Sequence, residues 1–247
     1  MSIPRYYVKE ENIKANYVNI TDGDAKHLIR VIRCRKGDIF KIFNDSGKEY
    51  SVRATDINQN RVTGEILSIT YPDVETFLPV CLCQALTKGQ KMDIIVQKGT
   101  ELGVKEIQPL ITSRSIKTVH KQKLEGWRKI SIAALQQSGR LKPVDIREPV
   151  TFEQSLGNIK KEDLGLIFYP GQNSLKKILQ NTTKNRKIFI FIGPEGDFSE
   201  KEIEIAKSSG LYPVSLGPRI LRTETAGIVA LSIILYELEN QEAGKID

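Results

Sequence analysis

Apolar residues are spaced differently before and after residue 75 of this chain. Upstream, short alternations of apolar and polar residues predict strands over 5–8, 17–20, 39–43, 50–57 and 61–69. Asn44-Asp45-Ser46-Gly47 and Asn58-Gln59-Asn60 supply hairpin turns between them. Asp22-Gly23-Asp24 opens a helical stretch carrying Leu28, Ile29, Val31 and Ile32, on which Lys26, Arg30 and Arg33 fall along one face. Residues 70–75 read as a linker. Downstream, apolar runs over 77–85, 104–111, 164–169, 187–192 and 212–216 alternate with helical spacing over 88–102, 121–138, 174–179 and 199–209. This order predicts an α/β domain with a mostly parallel sheet. The chain thus divides into a small β-rich domain, residues 1–74, and an α/β domain, residues 75–247. A last helix over 226–238 is apolar almost all round, so it is expected in the core and partly under a second subunit. The tail, residues 240–247, is expected to fray.

Two loops in the second domain carry candidate chemistry. The run Ile188-Phe189-Ile190-Phe191, typical of a strand covered on both faces, leads into Ile192-Gly193-Pro194-Glu195-Gly196. Ser199 and Glu202 then have capping-box spacing. The next strand leads into Leu216-Gly217-Pro218-Arg219-Ile220-Leu221-Arg222-Thr223-Glu224-Thr225-Ala226. Two readings of this segment stand: a turn with Thr223 or Thr225 capping the last helix, or a ligand site at a helix entrance, where unpaired N–H groups face outward. Ligands of open parallel sheets bind beyond the carboxyl ends of the strands, and two loops in successive positions favour the second reading.

Composition narrows the class. The chain has 247 residues, 40% of them hydrophobic and 27% charged, as expected of a soluble protein with a sizeable core. No uncharged apolar run reaches the roughly 18 residues of a membrane span. Residues 1–10 lack the apolar core of a signal peptide, and the expected location is cytoplasmic. Cys34, Cys81 and Cys83 form no CxxC pair, and His27 and His120 lie far from them, so buried thiols are expected and no metal site. Phosphate-loop and dinucleotide motifs do not occur, and neither histidine lies in the nucleophile context that a Ser-His-Asp triad needs. The net charge of +7 is concentrated. Residues 112–142 hold Arg114, Lys117, Lys121, Lys123, Arg128, Lys129, Arg140 and Lys142 against one acid, Glu125. A second cluster is Lys26, Arg30, Arg33, Arg35 and Lys36. Such runs are either solvated faces or contacts for nucleic acid.

The segments Lys91-Met92-Asp93, Gln97-Lys98-Gly99-Thr100-Glu101-Leu102-Gly103-Val104, Gln137-Ser138-Gly139-Arg140, Ile192 to Gly196 and Leu216 to Ala226 occur in that order. Together with Arg5 and His27-Leu28-x-x-Val31-x-Arg33, they resemble the bacterial small-subunit ribosomal RNA uridine N3-methyltransferases of the SPOUT superfamily. The resemblance spans nearly the whole chain. It implies a PUA-like β-barrel followed by an α/β methyltransferase domain with a C-terminal trefoil knot, threaded by the last helix and paired as a homodimer. It implies S-adenosylmethionine as cofactor, and 16S ribosomal RNA, in the 30S subunit, as partner. Carried onto this sequence, cofactor contacts fall on Tyr169, Ile192, Gly193, Pro194, Glu195, Gly196, Leu216, Gly217, Ile220, Leu221, Arg222, Thr225 and Ala226. Two departures stand out: Asp197 where the family often has Gly, and Gln136 where it often has Glu.

Uracil N3 carries a proton and attacks poorly until it leaves, so the implied tasks are positioning and management of charge. Arg222 is the expected holder of the uracil oxygens. Glu224 is expected to accept the proton or to anchor Arg222; the plainer alternative is an ion pair that only fixes the loop. RNA contacts are expected at Arg5, His27, Arg30, Arg33, Arg35, Arg114, Lys117, Lys121 and Arg140. Two other readings remain: a ribosome-assembly factor that keeps the fold without the reaction, and a SPOUT enzyme acting on another RNA.

Overall fold

The computed structural model describes residues 3–182 and 186–243; part of the tail expected to fray, residues 244–247, lies outside the described residues. The chain forms two compact units. The first comprises Met1–Glu75 and Leu135–Pro143, and the second Thr76–Ala134 and Val144–Asp247.

The first unit is built on a six-stranded sheet. Its strands are β1 (Arg5–Tyr7), β2 (Ile13–Lys14), β3 (Tyr17–Thr21), β4 (Ile39–Phe43), β5 (Glu49–Asn58) and β6 (Arg61–Thr70), in the order β1-β4-β5-β6-β3-β2. Pairing is antiparallel except between β1 and β4. Alternate residues face inward, so Val18, Ile20, Phe40, Ile42, Val52 and Val62 share one core with Tyr6 and Leu28. Helix α1 (Asp22–His27) runs on into a π-helical turn, Leu28–Ile32. Arg33 does not extend the helical face expected for it. It ends the turn with φ of 58°, in the left-handed region.

Arg5 and Arg140 also depart from expectation. Arg5 donates from Nε to Glu49 Oε2 at 2.7 Å, and its guanidinium donates to the carbonyls of Leu135, Gln136, Gly139 and Arg140. The side chain of Arg140 is 4% exposed and pairs with Glu75 Oε2 at 2.8 Å. Burial raises the Glu75 pKa, but the bonds from Arg140 and from the Lys142 and Leu141 N–H groups outweigh it and bring the carboxyl to about 2. Both arginines are engaged by groups within the first unit.

The second unit holds a parallel sheet in the order β10-β8-β7-β12-β11-β13. These strands are β7 (Val80–Ala85), β8 (Glu106–Ile111), β10 (Val150–Thr151), β11 (Leu164–Ser174), β12 (Ile188–Ile192) and β13 (Tyr212–Ser215), with β9 (Asp145–Ile146) also on β8. Helices are α2 (Lys91–Leu102), α3 (Lys121–Ser138), whose last residues belong to the first unit, α4 (Phe152–Leu156), α5 (Leu175–Gln180), α6 (Glu200–Ser208) and α7 (Thr223–Ala243). The sheet is covered on both faces, which accounts for its unbroken apolar runs. Val80, Leu82, Ile188, Ile190 and Ile192 pack in one core with α2, α5 and α7, through Met92, Ile95, Leu175, Leu231 and Ile234. Cys81, Cys83, Phe189 and Phe191 point to a second core with Phe152 of α4 and Ile203 of α6. The three thiols are free and buried.

Asp93 explains part of the Lys91-Met92-Asp93 segment. Its carboxylate accepts from Trp127 Nε1 at 2.9 Å and Lys123 Nζ at 2.8 Å, tying α2 to α3. Helix α7 starts three residues earlier than its apolar pattern suggested and is not enclosed on every side. Ala230, Leu231, Ile234 and Leu238 are buried, whereas Ile233 and Tyr236 are exposed. No helix among the described residues is long and apolar enough to cross a membrane.

Candidate active site

Strands β12, β11 and β13 are neighbours, so the segments at their carboxyl ends meet. They enclose a cavity of about 880 Å³ in the second unit. Strand β11 supplies the first wall. The sequence predicts its end at residue 169, but it continues to Ser174 after a register shift between Phe168 and Asn173. Tyr169, Pro170 and Gly171 lie in this irregularity and line the cavity.

The second wall, after β12, is tightly braced. Asp197 N–H donates to the Pro194 carbonyl at 3.0 Å. Asp197 itself has φ of 62°, the left-handed region, which accounts for a glycine preference there. Asp is among the residues that tolerate it, because a short polar side chain bonds locally. Here Oδ1 accepts the Phe198 N–H at 2.8 Å. Burial raises the Asp197 pKa, against the opposing effects of that bond and of Arg114. A Cβ on Gly193 would lie 3.0 Å from Asp197 Oδ1 and 3.2 Å from both Asp197 Cα and the Phe198 nitrogen, so any side chain there requires the turn to give by a few tenths of an ångström. The expected capping box is present: Ser199 Oγ accepts from Glu202 N–H, and Glu202 Oε2 accepts from Ser199 N–H. Glu202 also accepts from Ser113 N–H and Oγ at 2.8 and 2.9 Å, fixing the segment after β8.

The third wall, after β13, is open. Gly217 has φ of 111°, and Ile220 is 90% exposed. Ser215 Oγ accepts from Gly217 N–H at 3.2 Å and donates to its carbonyl at 3.1 Å. One buried chain joins the second and third walls. Gln84 Nε2 donates to Thr223 Oγ1 at 2.9 Å, and that hydroxyl donates to the Gly193 carbonyl at 2.5 Å. Gln84 and Thr223 are 0% and 6% exposed. Neither was named from the sequence as a site residue; S/T at a helix start was visible, but a partner 139 positions away was not.

All expected cofactor residues line this cavity except Gly196 and Thr225. Thr225 is exposed on the first turn of α7, and Gly196 borders an adjoining hollow. Lys91, Phe168, Asp197, Arg219 and Thr223 are lining residues that sequence reasoning had not assigned to the cofactor. Arg222 is exposed at the cavity and has no ion-pair partner among the described residues, Glu224 included. Glu224 is partly buried, and its Oε2 is sealed from solvent without a hydrogen-bond partner. The Arg222–Glu224 ion pair that would only fix the loop does not form.

The basic residues separate by use. Arg30, Arg33, Arg35 and Lys121 are exposed. His27 Nδ1 bonds to the Tyr6 hydroxyl at 2.8 Å. Lys117 Nζ donates to the Thr112 and Ser113 carbonyls, and Arg114 Nη1 to the Gly196 carbonyl at 2.7 Å. No group of His, Cys, Asp or Glu among the described residues could hold a metal ion.

The cavity's chemistry fits an S-adenosylmethionine-type ligand. Phe168, Ile192, Leu216, Leu221 and Ala226 give apolar surfaces for a flat heteroaromatic ring, and Lys91, Glu195, Asp197 and Arg222 place polar side chains around them.

Comparison with known proteins agrees with this geometry. The RNA methyltransferase domain family matches residues 74–235, and the RNA methyltransferase PUA domain family matches residues 20–67. Ribosomal RNA small subunit methyltransferase E of Synechocystis is 35% identical, over 96% of this chain and 78% of that protein. This chain belongs to the small-subunit ribosomal RNA methyltransferase E family. The Bacillus subtilis member is 30% identical, over 95% of this chain and 97% of its own. The crystal structure of the Neisseria gonorrhoeae member bound to S-adenosyl methionine matches with a TM-score of 0.88 and 32% identity, over 95% of this chain and 98% of that one. The SPOUT-type α/β fold with an N-terminal PUA-like domain, expected from the motif residues, is the fold of this family and of this chain.

Proposed function

We propose that this protein transfers a methyl group from S-adenosylmethionine to N3 of one uridine in small-subunit ribosomal RNA. The observation that carries this reading is the cavity shared by the ends of β11, β12 and β13, in a chain of this family, with an arginine at it, Arg222, that forms no ion pair among the described residues. The bound cofactor supplies an electrophilic methyl group, so the chain's own residues need only bind, orient and manage charge.

Gly193, Pro194, Leu216 and Leu221 hold the cofactor, and the Gln84–Thr223–Gly193 chain keeps the loop carbonyl from drifting into the space. Arg222 donates to a uracil oxygen and stabilises the anion formed when the N3 proton leaves. Glu224 does not line the cavity and its Oε2 is sealed from solvent, so neither role expected for it, proton acceptor or anchor for Arg222, has a supporting contact. Arg30, Arg33, Arg35 and Lys121, exposed, contact RNA phosphates. Two copies pair through α7, whose Ile233 and Tyr236 are exposed on an otherwise apolar helix, and the same helix threads the knot of this superfamily. The site of action is the cytoplasmic small subunit.

The test is transfer of labelled methyl groups to unmodified small subunits, with the nucleoside identified by mass spectrometry. A 3-methyluridine at one position is expected. Binding to subunits without transfer would favour an assembly factor, and label on ribose or another base would discard N3.

A further inference from the structure

Beside the cofactor cavity lies a smaller hollow of about 480 Å³, lined by Lys88, Gly89, Lys91, Arg114, Glu195 and Gly196. Lys91 and Glu195 belong to both and form the partition between them. Glu195 Oε1 accepts from Lys91 Nζ at 2.7 Å and from the Lys88 main-chain N–H at 3.3 Å. This acid and this lysine therefore cancel.

Two cations remain. The Lys88 side chain is exposed and has no ion-pair partner among the described residues. Arg114 donates to the main-chain carbonyls of Gly196 and Phe198, at 2.7 and 3.5 Å, and forms no ion pair among the described residues, although the Asp197 carboxyl is close enough to feel its charge. These bonds hold the guanidinium in place, and its second terminal nitrogen stays available. The hollow is thus a concave site whose lining carries more cations than acids, with one pre-positioned arginine, the combination that suits a phosphate group. Two of its six lining residues are glycines, so main chain forms part of its wall.

We propose that this hollow seats a phosphodiester group of the RNA strand whose uridine enters the adjoining cavity, with Lys88 and Arg114 as its ligands. The inference rests on the reading that the larger cavity methylates RNA. A base turned into that cavity carries its own backbone phosphates to the rim, and the rim contact sets the depth and register of the base. A carboxylate of the cofactor is the rival ligand. The Lys91–Glu195 partition disfavours it, because the acid of the pair faces the cofactor's side as well as the hollow.

The experiment uses the full-length protein and Lys88→Ala and Lys88→Glu, since Lys88 is exposed and its removal leaves the fold's contacts intact. Affinity for unmodified small subunits is measured across a salt series, and cofactor affinity by calorimetry on the same samples. The expected result is roughly threefold to tenfold weaker subunit binding for Lys88→Ala at low salt, a salt slope smaller by about one, a larger loss for Lys88→Glu, and unchanged cofactor affinity. Wild-type slope and affinity in both variants would overturn the proposal, as would a loss confined to cofactor binding. If the wild-type protein binds and methylates subunits while the variants keep its slope, only the phosphate site fails; if the wild-type protein transfers no methyl group, the functional reading fails with it.

Discussion

The two loops that face each other across the cavity are built in opposite ways. The one after β12 is braced at nearly every residue: Gly193 by Thr223, Pro194 by Asp197, Gly196 by Arg114. The one after β13 has little beyond the Ser215–Gly217 pair, and Ile220 is 90% exposed. A braced loop presents a fixed surface and loses little entropy when a ligand binds. An open loop adapts, at the cost of ordering on contact. In the proposed reading the braced loop fixes one side of the cofactor, Leu216 and Leu221 of the open loop close on its other side, and the exposed Ile220 and Arg222 meet the incoming uridine.

The comparison breaks most readily at Gly193. Gly193→Val places side-chain atoms within about 3 Å of the Asp197 and Phe198 backbone, and overpacking of this kind costs about 1–3 kcal/mol. Cofactor affinity should fall by roughly two orders of magnitude or be lost, with a lower midpoint in denaturant; near wild-type cofactor binding would mean that the loop is not rigid. Thr223→Val leaves the Gly193 carbonyl and a Gln84 N–H buried without partners, at about 1–3 kcal/mol for each group. It should weaken cofactor binding roughly tenfold or more, and Thr223→Ser should restore it; failure of the serine to rescue would remove the hydrogen-bond chain from the account.

A smaller effect concerns pH. Burial raises the Glu202 pKa, but the bonds from Ser199 and Ser113 outweigh it and the net shift is downward from 4.5. A carboxylate depressed on folding contributes stability above its unfolded value, and the contribution fades as pH falls below about 4.5. Unfolding followed from pH 7 to pH 3 should therefore show a loss in the acid range that Glu202→Gln reduces; identical profiles would show that the anchor after the braced loop is not charged in function. The smallest effect belongs to Ile220→Ala. Stability should change by less than about 0.5 kcal/mol and cofactor affinity hardly at all, with a few-fold fall in kcat/KM for subunits. A loss of cofactor affinity instead would place Ile220 with Leu216 and Leu221 at the cofactor.

Local pattern reached much of this molecule. The apolar run at β12, the Ser199–Glu202 box and the bounds of α3 follow from neighbours in sequence, and each is present. Strand pattern pointed to the two loops after β12 and β13, but the individual cofactor residues were legible only through motif resemblance, because periodicity says where strands end and not which ends meet. What escaped was long-range pairing. Arg5 and Arg140 looked like free cations, yet each is bound by groups that folding brings from elsewhere in the first unit. Gln84 lies within the apolar run of β7, and its partner Thr223 opens the last helix. Strand β11 crosses Pro170-Gly171, which reads locally as a stop, because β13 pairs with it again on the far side. Elements of a few residues, such as β9, β10 and α4, are too short to show a period.

The most direct test of the division between the two loops is Arg222→Ala, assayed on one preparation for cofactor affinity and for methyl transfer to small subunits. The account predicts cofactor binding within about twofold of wild type and a kcat lower by roughly 100-fold, the scale expected for a lost donor to a developing oxyanion. Cofactor affinity that falls together with kcat, or a kcat that stays at the wild-type value, would contradict it.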